Sequence, residues 1–156
     1  MTNITPIINA ARSGDVELLK SLVSTETDLN AQDEKGYTPL IIACYNNQAA
    51  AAAWLIEAGA DVDASDFGGN TALMGACFKG YKEIAELLIS NGADLNLQHG
   101  NGGTALMFAA MFGRNELVKL LLEKGADKSI LDVRGLSVFD LAAQQGNLEA
   151  IDLLEA

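Results

Sequence analysis

The fold is decided by the stretch Thr71-Ala-Leu-Met-Gly-Ala-Cys77, because related stretches recur along the whole chain. The other copies are Thr5-Pro-Ile-Ile-Asn-Ala-Ala11, Thr38-Pro-Leu-Ile-Ile-Ala-Cys44, Thr104-Ala-Leu-Met-Phe-Ala-Ala110 and the divergent Ser137-Val-Phe-Asp-Leu-Ala-Ala143. Each copy begins 33 residues after the one before it, and Gly-Ala-Asp at residues 59–61, 92–94 and 125–127 keeps the same interval. Two sequence motifs that recur at the same interval predict five structural units that bury their apolar faces against one another.

Each copy predicts a pair of helices. Thr or Ser suits the N-cap of the first helix, and Pro6 and Pro39 then occupy its first position. A left-handed residue ends that helix in each copy: Gly14, Asn47, Gly80, Gly113 and Gly146. The second helix carries apolar residues at helical spacing and ends at Gly59, Gly92 or Gly125 in the inner copies. Asp66-Phe-Gly-Gly69 predicts a turn between units.

The unit of turn, Thr-Pro-Leu-x-x-Ala helix, second helix and Gly-Ala-Asp resembles the ankyrin repeat over essentially the whole chain. The resemblance implies an all-α solenoid of five stacked helix-turn-helix units joined by hairpin-like loops. We expect one domain, residues 1–156, with capping repeats at 1–32 and 132–156 and internal repeats at 33–65, 66–98 and 99–131. Polar residues near the two ends suit the outer faces of such caps.

The chain departs from the family at two positions. The usual His after Thr-Pro-Leu is replaced by Ile8, Ile41, Met74, Met107 and Asp140. The hydrogen bonds that this His makes between repeats must therefore be absent or supplied by other groups. His99 stands where the other turns have Asp33, Asp66 and Asp132, and we expect it to be a turn residue and not a metal ligand.

Charge and hydropathy exclude several classes of function. A net charge of −11 disfavours binding to nucleic acid, because the chain would repel phosphates. No apolar run approaches the ~20 residues that cross a bilayer, and the start at Met1 lacks the basic and apolar blocks of a signal peptide. We expect a cytoplasmic protein without a membrane partner, and the polar ends favour a monomer.

The chain offers little that could support catalysis. Cys44 and Cys77 are equivalent positions in adjacent units. Helices in contact lie ~8–10 Å apart, whereas a disulfide needs Cα atoms within about 7 Å, so we expect two buried, reduced thiols. Gly100-Asn-Gly-Gly103 lacks the Lys-Ser/Thr of a phosphate loop. We predict no catalytic residue, metal or cofactor; a small enzyme hidden in the scaffold is an alternative that needs a nucleophile–base pair.

The ankyrin resemblance implies a binding face made of turn tips and the exposed ends of the first helices, on the concave side. The family's binding positions are mapped onto this sequence by counting from the Thr or Ser that begins each copy. These positions include five of the nine aromatic residues. They also hold one acid, Glu34, against four bases. We therefore predict a protein–protein interaction module that binds a protein or peptide through Tyr37, Tyr45, Phe67, Phe78, Lys79, Met111, Phe112 and Arg134.

Other interpretations stay open. Phe78, Met111 and Phe112 could instead pack between units, as Trp54 is expected to do at a core leucine position. The acidic convex face could bind a basic partner, which would make binding depend steeply on salt. A stack without a natural partner is a further alternative, although irregularities such as the alanine run 49–53 disfavour a consensus design.

Overall fold

A computed structural model describes residues 3–156, and within this range it shows ten α-helices and no β-strand. The helices are α1 Thr5–Ser13, α2 Val16–Leu22, α3 Pro39–Tyr45, α4 Ala49–Glu57, α5 Ala72–Lys79, α6 Lys82–Ser90, α7 Ala105–Met111, α8 Asn115–Glu123, α9 Val138–Gln144 and α10 Leu148–Glu155. The predicted all-α class is confirmed. Met1 and Thr2, which belong to the predicted N-terminal capping repeat, lie outside the described residues.

The helices form two layers. The odd-numbered helices, α1 to α9, each pack against the next odd-numbered helix, and the even-numbered helices do the same. Within a unit the two helices pack against each other, as α5 does against α6. We call the odd-numbered set the first-helix layer. In the described part of the chain, no helix has both the length and the apolarity needed to cross a membrane.

The predicted caps hold in four units. The hydroxyls of Thr38, Thr71, Thr104 and Ser137 each accept a hydrogen bond from the backbone N–H three residues later. The prediction for Thr5 is wrong, because α1 starts one residue earlier with Ile4 as its N-cap. The Ile4 carbonyl accepts from the N–H of Ile8 at 2.9 Å, which places Pro6 at the second helical position.

The predicted helix ends are also present. All five residues predicted to be left-handed at the ends of the first helices have positive φ, from 59° at Asn47 to 81° at Gly80, and the glycines that end the inner second helices, Gly59, Gly92 and Gly125, have positive φ as well. Asn47 is the one non-glycine residue with positive φ in the described range. Asparagine tolerates this conformation better than other residues with a side chain, which lets it replace glycine after α3.

The core lies between the layers. Small residues of the first helices, such as Ala43 and Ala76, are fully buried and let neighbouring helices approach closely. Leucines and isoleucines of the second helices fill the remaining space, and Trp54 packs partly buried against them. Cys44 and Cys77 are buried and not bonded to each other, as predicted. Burial raises the pKa of each thiol to about 12, so neither is a nucleophile near neutral pH.

Side-chain hydrogen bonds between units come from residues outside the position where the resemblance expects a histidine. Ile41, Met74 and their equivalents are buried without polar contacts between units, and Asp140 accepts from the backbone N–H of its own cap, Ser137. The residue before three of the second helices instead donates to a carbonyl near the end of the first helix of the preceding unit. These bonds are Gln48 Nε2 to Arg12 O at 3.0 Å, Arg114 Nε to Phe78 O at 3.1 Å and Asn147 Nδ2 to Ala110 O at 2.9 Å.

Candidate partner-binding site

Three aromatic side chains from consecutive units form a row at the carboxyl ends of the first helices. The rings of Tyr45 and Phe78 are nearly parallel with centroids 6.4 Å apart, and Phe112 meets Phe78 edge to face at 4.7 Å. Tyr45 remains 42% exposed and Phe112 43% exposed, while Phe78 between them is half-buried. We call Tyr45, Phe78 and Phe112 the aromatic strip. Its outer members offer apolar surface to solvent on one side of the molecule.

Lys79 caps one end of the strip. Its ammonium nitrogen lies 4.8 Å from the centroid of the Tyr45 ring, within cation–π range. Lys79 is in the last turn of α5, where a cation also complements the partial negative charge of the helix end. Among the described residues it forms no ion pair, so its charge is available to a partner.

A groove of about 520 Å³ opens between α3 and α5 beside the strip, and we call it the α3–α5 groove. The buried side chains of Ile41 and Met74 lie beneath it, and Tyr37, Tyr45 and Phe78 border it. Gly75 gives the groove room, because a Cβ there would lie 3.3 Å from Cδ1 of Tyr45. The groove therefore combines an apolar lining with exposed aromatic edges.

A second hollow of about 490 Å³ lies between α7 and the start of the last unit. Met111 and Arg134 line it together with Met107 and Val133. Arg134 pairs with Asp132 at 3.1 Å, so part of its charge is already neutralised. Phe108 borders both this hollow and the α3–α5 groove, which places the two cavities side by side.

The predicted site residues thus fall into three places. Tyr37, Tyr45, Phe78, Lys79 and Phe112 lie on or beside the aromatic strip and the α3–α5 groove. Met111 and Arg134 line the second hollow. Phe67 lies in neither cavity: it is 69% exposed at a turn tip, where its ring packs over Gly36 of the preceding turn.

Phe108 and Gly75 are the residues that sequence reasoning missed. Both occupy the fourth position after the cap of their first helix, a position held by Asn9, Ile42 and Leu141 in the other units. The variation in side-chain size at this position is the available signal, since the next position is alanine in every unit.

His99 is held within its turn. Its Nδ1 accepts from the backbone N–H of Gly103 at 2.9 Å, the type of bond that Asp66 accepts from Asn70 in the preceding turn. The imidazole also contacts Phe108 with centroids 5.0 Å apart. No cluster of His, Cys, Asp or Glu among residues 3–156 could hold a metal ion.

The glycine-rich tip at residues 100–103 has its own partners. The N–H of Gly100 donates to the Gly68 carbonyl at 2.8 Å, and that of Gly102 donates to His99 at 2.7 Å. The first bond links this turn to the preceding one and the second, to the His99 carbonyl, closes the turn itself, so these two donors do not form the free cradle of N–H groups that a phosphate requires.

A family model described as ankyrin repeats, in three copies, matches residues 7–99 and again residues 73–155. Together the two matches span nearly all of the helices. A comparison with curated proteins gave no match.

Proposed function

The chain belongs to the ankyrin-repeat family, and from this premise we propose that it binds a protein or peptide through the aromatic strip and the α3–α5 groove. Repeats of this family are generally protein–protein interaction modules, and the family typically provides scaffolds and not enzymes. The proposal adds a face and named residues to that general role.

The observation that carries the proposal is the exposure of aromatic side chains in one continuous row. Tyr45 and Phe112 keep more than two fifths of their surface in solvent although Phe78 joins them into a single apolar surface. Aromatic side chains bring a large contact area at a low cost in conformational entropy, and they dominate the binding energy of many interfaces. The adjoining groove gives a partner side chain a place to be desolvated.

The decisive experiment selects binders from a displayed random-peptide library on the wild-type protein. The recovered peptides are then titrated against the triple variant Tyr45→Ala, Phe78→Ala, Phe112→Ala. Since one aromatic hot spot contributes about 2 kcal/mol or more, we expect the Kd to rise on the order of a hundredfold.

A matched control separates loss of the site from loss of exposed apolar surface in general. Leu148→Ala removes an exposed apolar side chain from the start of α10, away from the strip, and should leave the Kd unchanged. Far-UV circular dichroism must show that the triple variant keeps its helices. Peptides that bind the folded triple variant as tightly as wild type would overturn the proposal. If those peptides were also basic and bound with a steep salt dependence, the acidic convex face would be the binding surface instead.

A further inference from the structure

We propose that the segment recognised at this site is an acidic peptide with one bulky apolar side chain, which enters the α3–α5 groove while neighbouring carboxylates meet cations at its edge. The inference rests on the proposed function and specifies the chemistry of the partner. It follows from the glycine in the groove, from the lining and from the distribution of charge.

Gly75 has no conformational reason to be glycine. It lies inside α5 and is not among the residues with positive φ. Glycine within a helix lowers its stability relative to alanine, and the equivalent positions in the other units all carry side chains, including Ile42 and Phe108. What the missing side chain provides is space, because a Cβ at this position would already touch the Tyr45 ring at 3.3 Å.

The lining of this space suits an apolar group. Ile41, Ile42 and Met74 are buried beneath it, and the two amide side chains at its border form hydrogen bonds within the protein. Asn46 donates to the carbonyl of Ile42 at 2.8 Å, and Asn70 donates to Asp66. A partner side chain that enters the groove therefore meets mostly hydrocarbon and aromatic surface, which favours a large apolar residue.

The edge of the groove carries cations without acidic partners. Arg12 borders the groove and donates to the neutral side chain of Asn9, and Lys79 lies over Tyr45. The three ion pairs of the described residues lie elsewhere and involve neither side chain. Arg114 extends the set, since it binds the Phe78 carbonyl and its side chain lies beside Gly80.

One acid also borders the groove, but its oxygens are already engaged. Both carboxylate oxygens of Asp66 accept from Asn70, and one of them accepts from Gly68 as well. The chain as a whole carries −11, yet charges more than about 8–10 Å apart are largely screened at physiological ionic strength. Two cations, Arg12 and Lys79, lie at the groove against this one acid, so a carboxylate is attracted there at close range.

The first part of the test is the composition of the peptides recovered from the random library described above. We expect enrichment in Asp and Glu around a single aromatic or large aliphatic residue. Enrichment in Lys and Arg, or peptides without a large apolar residue, would overturn the inference even if those peptides bind the aromatic strip. In that case the proposed function would stand and only the chemistry assigned to the partner would fail.

The second part fills the groove and reverses the charge. Gly75→Ile copies the side chain of Ile42 in the preceding unit and should weaken binding of a recovered peptide at least about tenfold, because even one methylene can change binding by that factor. Gly75→Ala places a smaller side chain in the groove and should give an intermediate Kd. It serves as the second test variant if Gly75→Ile fails to fold. Circular dichroism and thermal unfolding identify any variant that has lost its structure.

Lys79→Glu should weaken the same peptide about tenfold at low salt and flatten the salt dependence of its Kd. Lys119→Glu changes the net charge equally on exposed surface of α8, and should have no effect. Unchanged binding to folded Gly75→Ile and to Lys79→Glu, together with lost binding to the triple aromatic variant, would overturn this inference and restrict the proposed function to the aromatic strip.

Discussion

At the scale of single residues, one carboxylate organises three of the four turns between units. Asp33, Asp66 and Asp132 each use one oxygen to accept from two backbone N–H groups, two and four residues later. His99 accepts one such bond through its ring nitrogen. The turn tips that border the binding face are thus shaped by a single side chain each.

Asp132 should make stability sensitive to acid. The backbone hydrogen bond from Leu136, followed by the contacts of Arg134, lowers the pKa of this carboxyl below its ordinary value of about 3.9. A lowered pKa in the folded state stabilises the fold above the ordinary value, and this contribution is lost as the pH falls from about 4 through the lower pKa. Urea unfolding between about pH 6 and pH 2 measures the effect.

The matched variant is Asp132→Asn, which keeps an oxygen acceptor but cannot titrate. We expect its free energy of unfolding to be lower than that of wild type at pH 6 and to fall less steeply below about pH 4. Asp152→Asn removes the same charge at an exposed site of α10 and controls for net charge. If the free energy of unfolding of Asp132→Asn fell as steeply below about pH 4 as that of wild type, Asp132 would not be the source of the acid sensitivity.

At the scale of helices, the side chain of the residue before the second helix forms hydrogen bonds in four of the five units, for one or both of two purposes. Asp15 caps α2 by accepting from the N–H of Leu18, whereas Gln48 and Arg114 reach back to the preceding unit. Asn147 does both: its oxygen accepts from the N–H of Ala150, and its amide donates to Ala110 and to Asn115. It therefore fixes the start of α10 and the position of the last unit against the one before.

Asn147→Ala should lower the free energy of unfolding by about 2 kcal/mol, because it removes an N-cap and leaves a partly buried carbonyl without a partner. Urea unfolding followed by circular dichroism measures the loss. Gln144→Ala, an exposed change at the end of α9, should shift the curve by less than about 0.5 kcal/mol. Equal effects of the two substitutions would show that the Asn147 contacts contribute little.

At the scale of the molecule, the main contacts run between neighbouring units. The side chains of Asn30, Asp63 and Asn96 each accept from the backbone N–H of the residue 31 positions later, which adds a regular link from one unit to the next. In such a structure, stability is close to a sum of unit and interface contributions. The aromatic strip spans three units, so its geometry depends on their correct stacking.

We propose a unit boundary between residues 131 and 132, and truncation tests it. A chain that ends at Leu131 should keep its helix content per residue and unfold at a lower Tm, because one complete unit and one interface are removed. A chain that ends at Arg114 keeps α7 without α8 and should lose helicity in the remaining part of that unit. Circular dichroism compares the two; a greater loss in the 1–131 chain would contradict the boundary.

The sequence by itself determined the unit and its register. Thr and Ser caps, glycine helix ends and Asp turns act through hydrogen bonds that span two to four residues, so their positions can be read directly along the chain. The burial of Cys44 and Cys77 followed from the repeat as well, since equivalent small residues meet at the same interface. Thr5 was misassigned because the first copy has no preceding turn in the sequence to fix where its helix begins.

Only the tertiary structure decided the shape of the binding face. The α3–α5 groove requires Gly75 of one unit to lie opposite Tyr45 of the previous unit, and Phe108 to reach its edge from the next. The position of Lys79 over the Tyr45 ring likewise joins two units. These contacts depend on the size and direction of side chains about 33 residues apart. A repeat pattern predicts which positions face each other, whereas packing between unequal side chains decides where a cavity remains.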